Sequence, residues 1–245
     1  MMLPLNHGVM AASVKAPADP FWANVVSLLH FDGPDDSTDF IDETGRIWTA
    51  VNFCRIDTAY ARFGGASGHF DFADSNISTP DSDDFDFGAG DFTIEAWIRP
   101  TENFALNSTF IISQRASFSS DQSFSFLISQ TSSPAGKIRF IYTTDGSTSV
   151  SADSADIPLA EQWSHVAAVR SGNSLTVYLN GVGGVPRDVT GVTFHNSSES
   201  VLIGRGGGVR EGFTGHIDEL RVTKGVARYT ADFTPPDAPF PGDAS

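Results

Sequence analysis

Asp218 and Glu219 stand side by side in "GHIDELRVT" (215–223), a stretch whose composition reads as a β-strand. Adjacent residues of a strand project to opposite faces, so these two carboxylates do not converge on one substrate bond. A retaining glycosidase needs two carboxyl groups about 5–5.5 Å apart across the sugar. Acids that share one face of a strand stand at alternate positions, as in a Glu-x-Asp-x-Glu run. The chain has no such run, and "TIEAW" supplies Glu95 alone. The expectation is therefore a protein with no catalytic residues, and not an enzyme. Asp218 shares parity with Leu220 and Val222 and is expected on the core side. A lone carboxylate there must be paired or metal-bound. Glu219 shares parity with Arg221 and is expected to form a surface ion pair of little worth.

Other constellations are weaker. Asp84, Asp86 and Glu95 occupy positions 1, 3 and 12 of an EF-hand frame, but position 6 is Ala89 rather than Gly and Glu95 falls inside a strand. His7, His30, His69, His165, His195 and His216 show no His-x-x-x-His spacing, and strand histidines read as packing or surface residues. "GRGGG" (204–208) lacks the Lys-Ser/Thr of a phosphate loop and reads as a turn. Cys54 is the single cysteine, which excludes an intrachain disulfide and multi-cysteine zinc. Among the four tryptophans, Trp97 falls on the polar parity of its strand, which makes it the candidate for an exposed ligand-stacking ring. The alternative is that this second face is covered as well.

Composition narrows the partners. Thirty acids against fifteen Lys and Arg give a net charge of −15, the wrong sign for a phosphate backbone or an anionic membrane. Nucleic acid and membrane are therefore not expected. Between Asp32 and Asp91 fourteen acids face three arginines; these are either solvated loops or, in part, oxygen ligands for calcium. No apolar run is long enough to span a bilayer as a helix. "MMLPLNHGVMAASVKAP" ends in small residues but lacks a basic start, and Pro4, Asn6, His7 and Gly8 interrupt it, so cleavage as a signal peptide is not expected.

The elements that must position these residues are strands. In "DFTIEAWIRP" (91–100), Phe92, Ile94, Ala96 and Ile98 alternate with Thr93, Glu95, Trp97 and Arg99, and Pro100 stops the run. Further strands are expected at 25–33, 61–72, 109–115, 123–130, 137–144, 163–171, 175–181, 200–206 and 215–223. Asp-Gly, Ser-Gly-Asn and Asn-Gly turns separate several of them. About a dozen short strands without a helical pattern mean an all-β antiparallel sandwich or jelly roll. Residues 1–24 are expected to form an extended N-terminal arm, 25–236 the jelly roll, and 237–245 a proline-rich tail.

Three segments carry a resemblance. "FDFGAGDFTIEAWIRP", "QWSHVAAVRSGNSLTVYLNG" and "LIGRGGG…FTGHIDELRVTKGVARYTADFTPP" together resemble the laminin-G-like branch of the concanavalin A-like jelly rolls. The last is similar to versions found in bacteriophage virion and tail proteins. The resemblance implies two bent antiparallel sheets with the first and last strands adjacent. It also implies a structural calcium ion held by Asp218, Asp32 and a backbone carbonyl near "FGG", at Gly65. A hydrogen-bonded cap or salt bridge at Asp218 is the alternative. The expected role is a non-catalytic virion decoration or tail-associated protein. Its partners would be other virion proteins, itself as a homo-oligomer, or a polysaccharide. The competing reading is an extracellular, lectin-like carbohydrate-binding module.

Overall fold

Alternating apolar residues bounded by Gly, Asn and Pro turns leave the chain few options but antiparallel sheets, and a computed structural model shows two of them. It describes residues 18–71, 74–101, 108–117, 120–208 and 212–243. In hydrogen-bonded order, the first sheet runs Val182–Gly183, Ser174–Leu179, Ser164–Ser171, Phe92–Pro100, Gly215–Lys224, Ser67–Phe70 and Arg55–Asp57. Val25–Leu29 pairs with Gly215–Lys224, and Arg187–Asp188 with Ser174–Leu179. The second sheet runs Val150–Asp153, Lys137–Tyr142, Ser120–Ser129, Thr109–Ser117, Val201–Ile203, Asn76–Thr79, Ile47–Val51 and Phe40–Ile41. The all-β sandwich is as expected. So is the adjacency of first and last strands, with Leu29 opposite Leu220.

The two sheets enclose one core. Phe92, Ile94, Ala96 and Ile98 of the first sheet face Phe124, Phe126, Ile128 and Phe140 of the second, and all are buried. Phe92 meets Phe140 at 5.3 Å between ring centroids and stacks on Phe87 at 4.5 Å. Burying each such side chain contributes about 2–3 kcal/mol, so the aromatic content of the sequence goes largely into holding the sheets together.

Seven short strands were not expected from the sequence. They are Phe40–Ile41, Ile47–Val51, Arg55–Asp57, Asn76–Thr79, Val150–Asp153, Val182–Gly183 and Arg187–Asp188. Most span two to four residues, too short for alternation to show.

The outer face of the first sheet is also covered, by the ends of the chain. Asp19 is buried and its N–H donates to the Gly242 carbonyl at 3.1 Å. Trp22–Asn24 forms a 3₁₀ turn against Val25, Leu28 and the buried Phe240. Residues 19–24 and 237–243 therefore belong to the packed domain, which corrects the boundaries drawn at 24 and 236. Most of the expected arm, residues 1–17, lies outside the described residues. Tyr229 stacks on Phe233 at 3.6 Å, and Phe233 lies 5.3 Å from Tyr178 of the sheet. Gly181 permits this docking. It has φ +81°, and a Cβ there would stand 1.8 Å from the Phe233 carbonyl oxygen. Gly181→Ala is expected to displace the tail at a cost of roughly 2–3 kcal/mol. A thermal melt lowered by less than a degree would refute that docking.

Candidate functional site

The site begins at an irregularity in the last strand. Asp218 opposes Trp97 and Arg221 opposes Glu95, so three steps on one strand match two on its neighbour. This is a β-bulge, and Glu219 takes it up with φ +51°. The extra residue resets the alternation. Ile217, Leu220 and Val222 all enter the core, whereas Asp218 and Arg221 point to the outer face with Trp97 and Glu95. The expectation that Asp218 shares the core side with Leu220 is thereby corrected.

Asp218 is fully buried beneath the turn at 62–65. Its Oδ2 accepts the Arg62 N–H at 2.7 Å and the Phe63 N–H at 3.2 Å, while Oδ1 has no partner. Burial raises its pKa to about 7, aided by the neighbouring Glu219 charge and opposed by the two amides. Asp32 grips the same turn from the solvent side, its Oδ1 accepting the Gly65 N–H at 2.8 Å. Gly64 has φ +58°, and a Cβ there would fall 2.2 Å from both Asp32 oxygens. The backbone cap at Asp218 is therefore present. The orphaned Oδ1 is a hard oxygen donor of the kind a calcium ion takes. A cation there would offset the cost of the buried charge.

Glu219 does not pair with Arg221 at the surface, contrary to expectation. The bulge buries it: Oε1 lies 2.8 Å from His30 Nδ1, and Oε2 accepts the Phe240 N–H at 2.7 Å. Burial disfavours the charged form of His30. The Glu219 hydrogen bond and charge outweigh this, with help from Glu43 and Asp32, and raise its pKa above the ordinary value.

Arg221 instead joins a buried network. Glu95 Oε1 accepts Arg221 Nε and Nη2 at 3.0 and 2.7 Å, and Oε2 accepts the Tyr229 hydroxyl at 2.7 Å and His165 Nε2 at 3.2 Å. Asp19 takes Arg221 Nη1 at 3.0 Å and both terminal nitrogens of Arg228 at 3.1 and 2.7 Å. Burial works against the Glu95 anion, yet Arg221, His165 and Tyr229 prevail and hold its pKa at about 2. A carboxylate ligated in this way is a structural anchor. It is not a proton donor.

Trp97 is 5% exposed. The Arg62 guanidinium lies 4.0 Å over its ring, and Phe63 and His165 meet it edge-on. An exposed stacking platform at Trp97 is therefore corrected: the loop held by Asp218 covers it.

The open surface lies on the other sheet. Phe110, Leu127 and Ile141 form a small apolar cluster on its outer face. A groove of about 390 Å³ is lined by Ser129, Thr131, Arg139 and Ser149 together with the edges of the largely buried Leu127 and Ile141. Arg139 is held as a fork on Asp153, Nε to Oδ1 at 2.6 Å and Nη2 to Oδ2 at 2.8 Å, and Nη1 donates to Thr131 Oγ1 at 2.9 Å. Through Ser151 the groove adjoins a larger one of about 850 Å³ toward Gly183–Asp188. Apolar edges, ringed by hydroxyls and a fixed guanidinium–carboxylate fork, can hold a polar ligand that has one apolar face. None of these groove residues was singled out from the sequence. Their Ser/Thr-rich alternation in "SFSFLISQTSS" was the available signal.

The family model Laminin_G_3, described as the concanavalin A-like lectin/glucanases superfamily, matches residues 71–228, well over half of the chain. The chain belongs to this family. No curated protein matches it. Among solved structures, the binding domain of Paraclostridial Mosquitocidal Protein 1 is similar, with a TM-score of 0.64 at 13% identity over 84% of this chain and 50% of that one. Domain 4 of AbnA, a GH43 extracellular arabinanase from Geobacillus stearothermophilus, was solved with arabinotriose. It gives a TM-score of 0.62 at 18% identity, covering 83% of this chain and 94% of that one. The binding domain of botulinum neurotoxin serotype G gives 0.60 at 16% identity, covering 83% and 48%. The chain spans about half the length of the toxin binding domains it matches. At these identities the likeness is one of fold.

Proposed function

We propose that this laminin-G-like domain is a non-catalytic recognition module that binds a glycan across the outer face of its second sheet. The observation that carries this reading is the groove around Arg139. Its fork is pre-oriented by Asp153, and its Ser and Thr side chains line it together with the edges of Leu127 and Ile141. A pyranose or furanose chain presents vicinal hydroxyls and an apolar ring face, which this arrangement complements. The arabinanase domain, nearly all of which this chain covers, was solved with a trisaccharide, which supports the reading by analogy of fold. We place the module on a phage virion or tail, in contact with other virion proteins or copies of itself. The support is the wording of the "GHIDELRVTKGVARYTADFTPP" segment. The fold-closing clasp would hold one structural calcium ion through Asp218 Oδ1, Asp32 and the Gly65 carbonyl, where its charge would neutralise the buried carboxylate.

The test is a glycan array followed by calorimetry on the strongest hit. Arg139→Ala is expected to weaken binding by at least about tenfold, the cost of one charge-assisted contact, with an unchanged melting temperature. A variant that binds like wild type would refute the groove. Absence of the protein from purified phage particles, probed with a specific antibody, would refute the virion placement and leave the glycan reading standing.

A further inference from the structure

Three residues far apart in the sequence meet at the edge of the first sheet. Arg55–Asp57, Ser67–Phe70 and Gly215–Lys224 are neighbouring strands, with His69 directly opposite both His216 and Arg55. One ligating atom each from Asp57, His69 and His216 lies within 4.8 Å of the other two. Asp57 Oδ2 is 3.0 Å from His216 Nε2 and 3.9 Å from His69 Nδ1. Its other oxygen accepts the Ala59 N–H at 2.7 Å, which fixes the carboxylate with Oδ2 toward the histidines. The two imidazoles stack 4.6 Å apart at 9°. His69 Nδ1 is buried without a hydrogen-bond partner.

We propose that Asp57, His69 and His216 form a binding site for a divalent transition-metal ion, for which zinc is the best match. Zinc bound to imidazole nitrogen and carboxylate oxygen at 2.0–2.2 Å in tetrahedral geometry places its ligands about 3.4 Å from one another. The observed 3.0 and 3.9 Å bracket that spacing, and because the two rings are stacked with their in-plane lone pairs parallel, one imidazole must turn out of the stack for both nitrogens to meet the ion. Nitrogen donors select a transition metal over calcium, which distinguishes this site from the all-oxygen clasp at Asp218. Binding displaces the Nε2 proton of His216 to solvent or to Nδ1, which has no partner at present.

The charges around the site permit it. Arg55 faces His69 but is neutralised by Asp36 at 3.1 Å and Asp71 at 3.2 Å. The Arg99 guanidinium lies 4.1 Å over the Tyr60 ring. Burial lowers the pKa of both histidines, keeping them in the neutral form that ligates. Asp57 and His69 are partly exposed, at 16% and 17%, so a metal can enter and a fourth position stays open to water. The bound ion would tie the edge strands Arg55–Asp57 and Ser67–Phe70 to the central strand Gly215–Lys224.

The experiment uses the full chain without a polyhistidine tag, stripped of metal and titrated with ZnCl₂ by calorimetry and with CoCl₂ by visible spectroscopy. The expected result is one equivalent bound and the intense d–d absorption of tetrahedral Co²⁺, undisturbed by excess CaCl₂. His69→Gln and Asp57→Asn, both at partly exposed positions, should each weaken zinc binding by about 10- to 100-fold. Their circular dichroism and melting should match the metal-free wild type. No zinc uptake by folded protein at neutral pH would overturn the proposal. So would uptake unchanged in both variants, or a weak octahedral Co²⁺ spectrum that marks adventitious surface binding.

Discussion

Glu95→Gln is expected to lower stability by about 3–5 kcal/mol, the cost of breaking a buried ion pair by removing one partner. Arg221 would keep Asp19 but lose a bidentate carboxylate, and the Tyr229 hydroxyl and His165 would lose their anionic acceptor. For a domain of this size that corresponds to a melting temperature lower by roughly 6–20 °C. The same carboxylate sets the acid limb of stability. Its folded pKa of about 2 lies below its ordinary 4.5. Its contribution is therefore fully present above pH 4.5 and is lost as pH falls toward 2. A shift of this size corresponds to about 3 kcal/mol. Melts recorded from pH 2 to 7 should show wild-type stability falling through this window, with a flatter profile for Glu95→Gln. Equal slopes would mean that another carboxylate governs acid unfolding.

The second large effect has the opposite sign. Asp218 is an acid whose folded pKa, about 7, stands above its ordinary 3.8. The fold favours its protonated form, so in metal-free buffer its contribution falls as pH rises from about 4 through 7. At pH 8 the penalty is on the order of 2–4 kcal/mol. Asp218→Asn keeps an oxygen for the Arg62 and Phe63 amides and carries no charge. In EGTA at pH 8 it is expected to melt higher than wild type by roughly 4–16 °C. Millimolar CaCl₂ should then stabilise wild type and leave Asp218→Asn unmoved. Asp218→Ala removes the one oxygen that accepts both amides and should be less stable than Asp218→Asn by about 1–3 kcal/mol, with or without calcium. A wild type indifferent to calcium, with Asp218→Asn still stabilised, would leave the cap intact and refute the ion.

The first prediction depends on the chain's own ends sealing the outer face of the first sheet, the second on the turn at 62–65 that covers Asp218. An ordinary antiparallel sheet presents one solvated face, and polar residues at Thr93, Glu95 and Arg99 fit that pattern. Here Asp19, Arg228, Tyr229 and Phe233 close over the sheet and turn a polar stripe into a desolvated network. The proposed glycan groove lies on the other sheet, away from this network.

The sequence by itself determined the class of fold and the site of its closure. Alternation in "DFTIEAWIRP", Asn-Gly and Asp-Gly turns and the apolar beat of the longer strands rest on local rules of period two and turn geometry. The same reading identified Asp218 as a buried carboxylate in need of a partner and Trp97 as outward-facing. Tertiary structure alone decided the rest. A single inserted residue at Glu219 reversed the parity on which the placements of Asp218 and Glu219 depended, and nothing in "IDELR" marks where a strand bulges. The burial of Trp97 depends on the loop that Asp218 holds. The strand Arg55–Asp57 was too short to declare itself, and Asp57, His69 and His216 meet through sheet register across 159 residues. Period and turn chemistry act between neighbours in the chain, whereas register, bulges and docked ends follow from the free energy of the assembled sandwich.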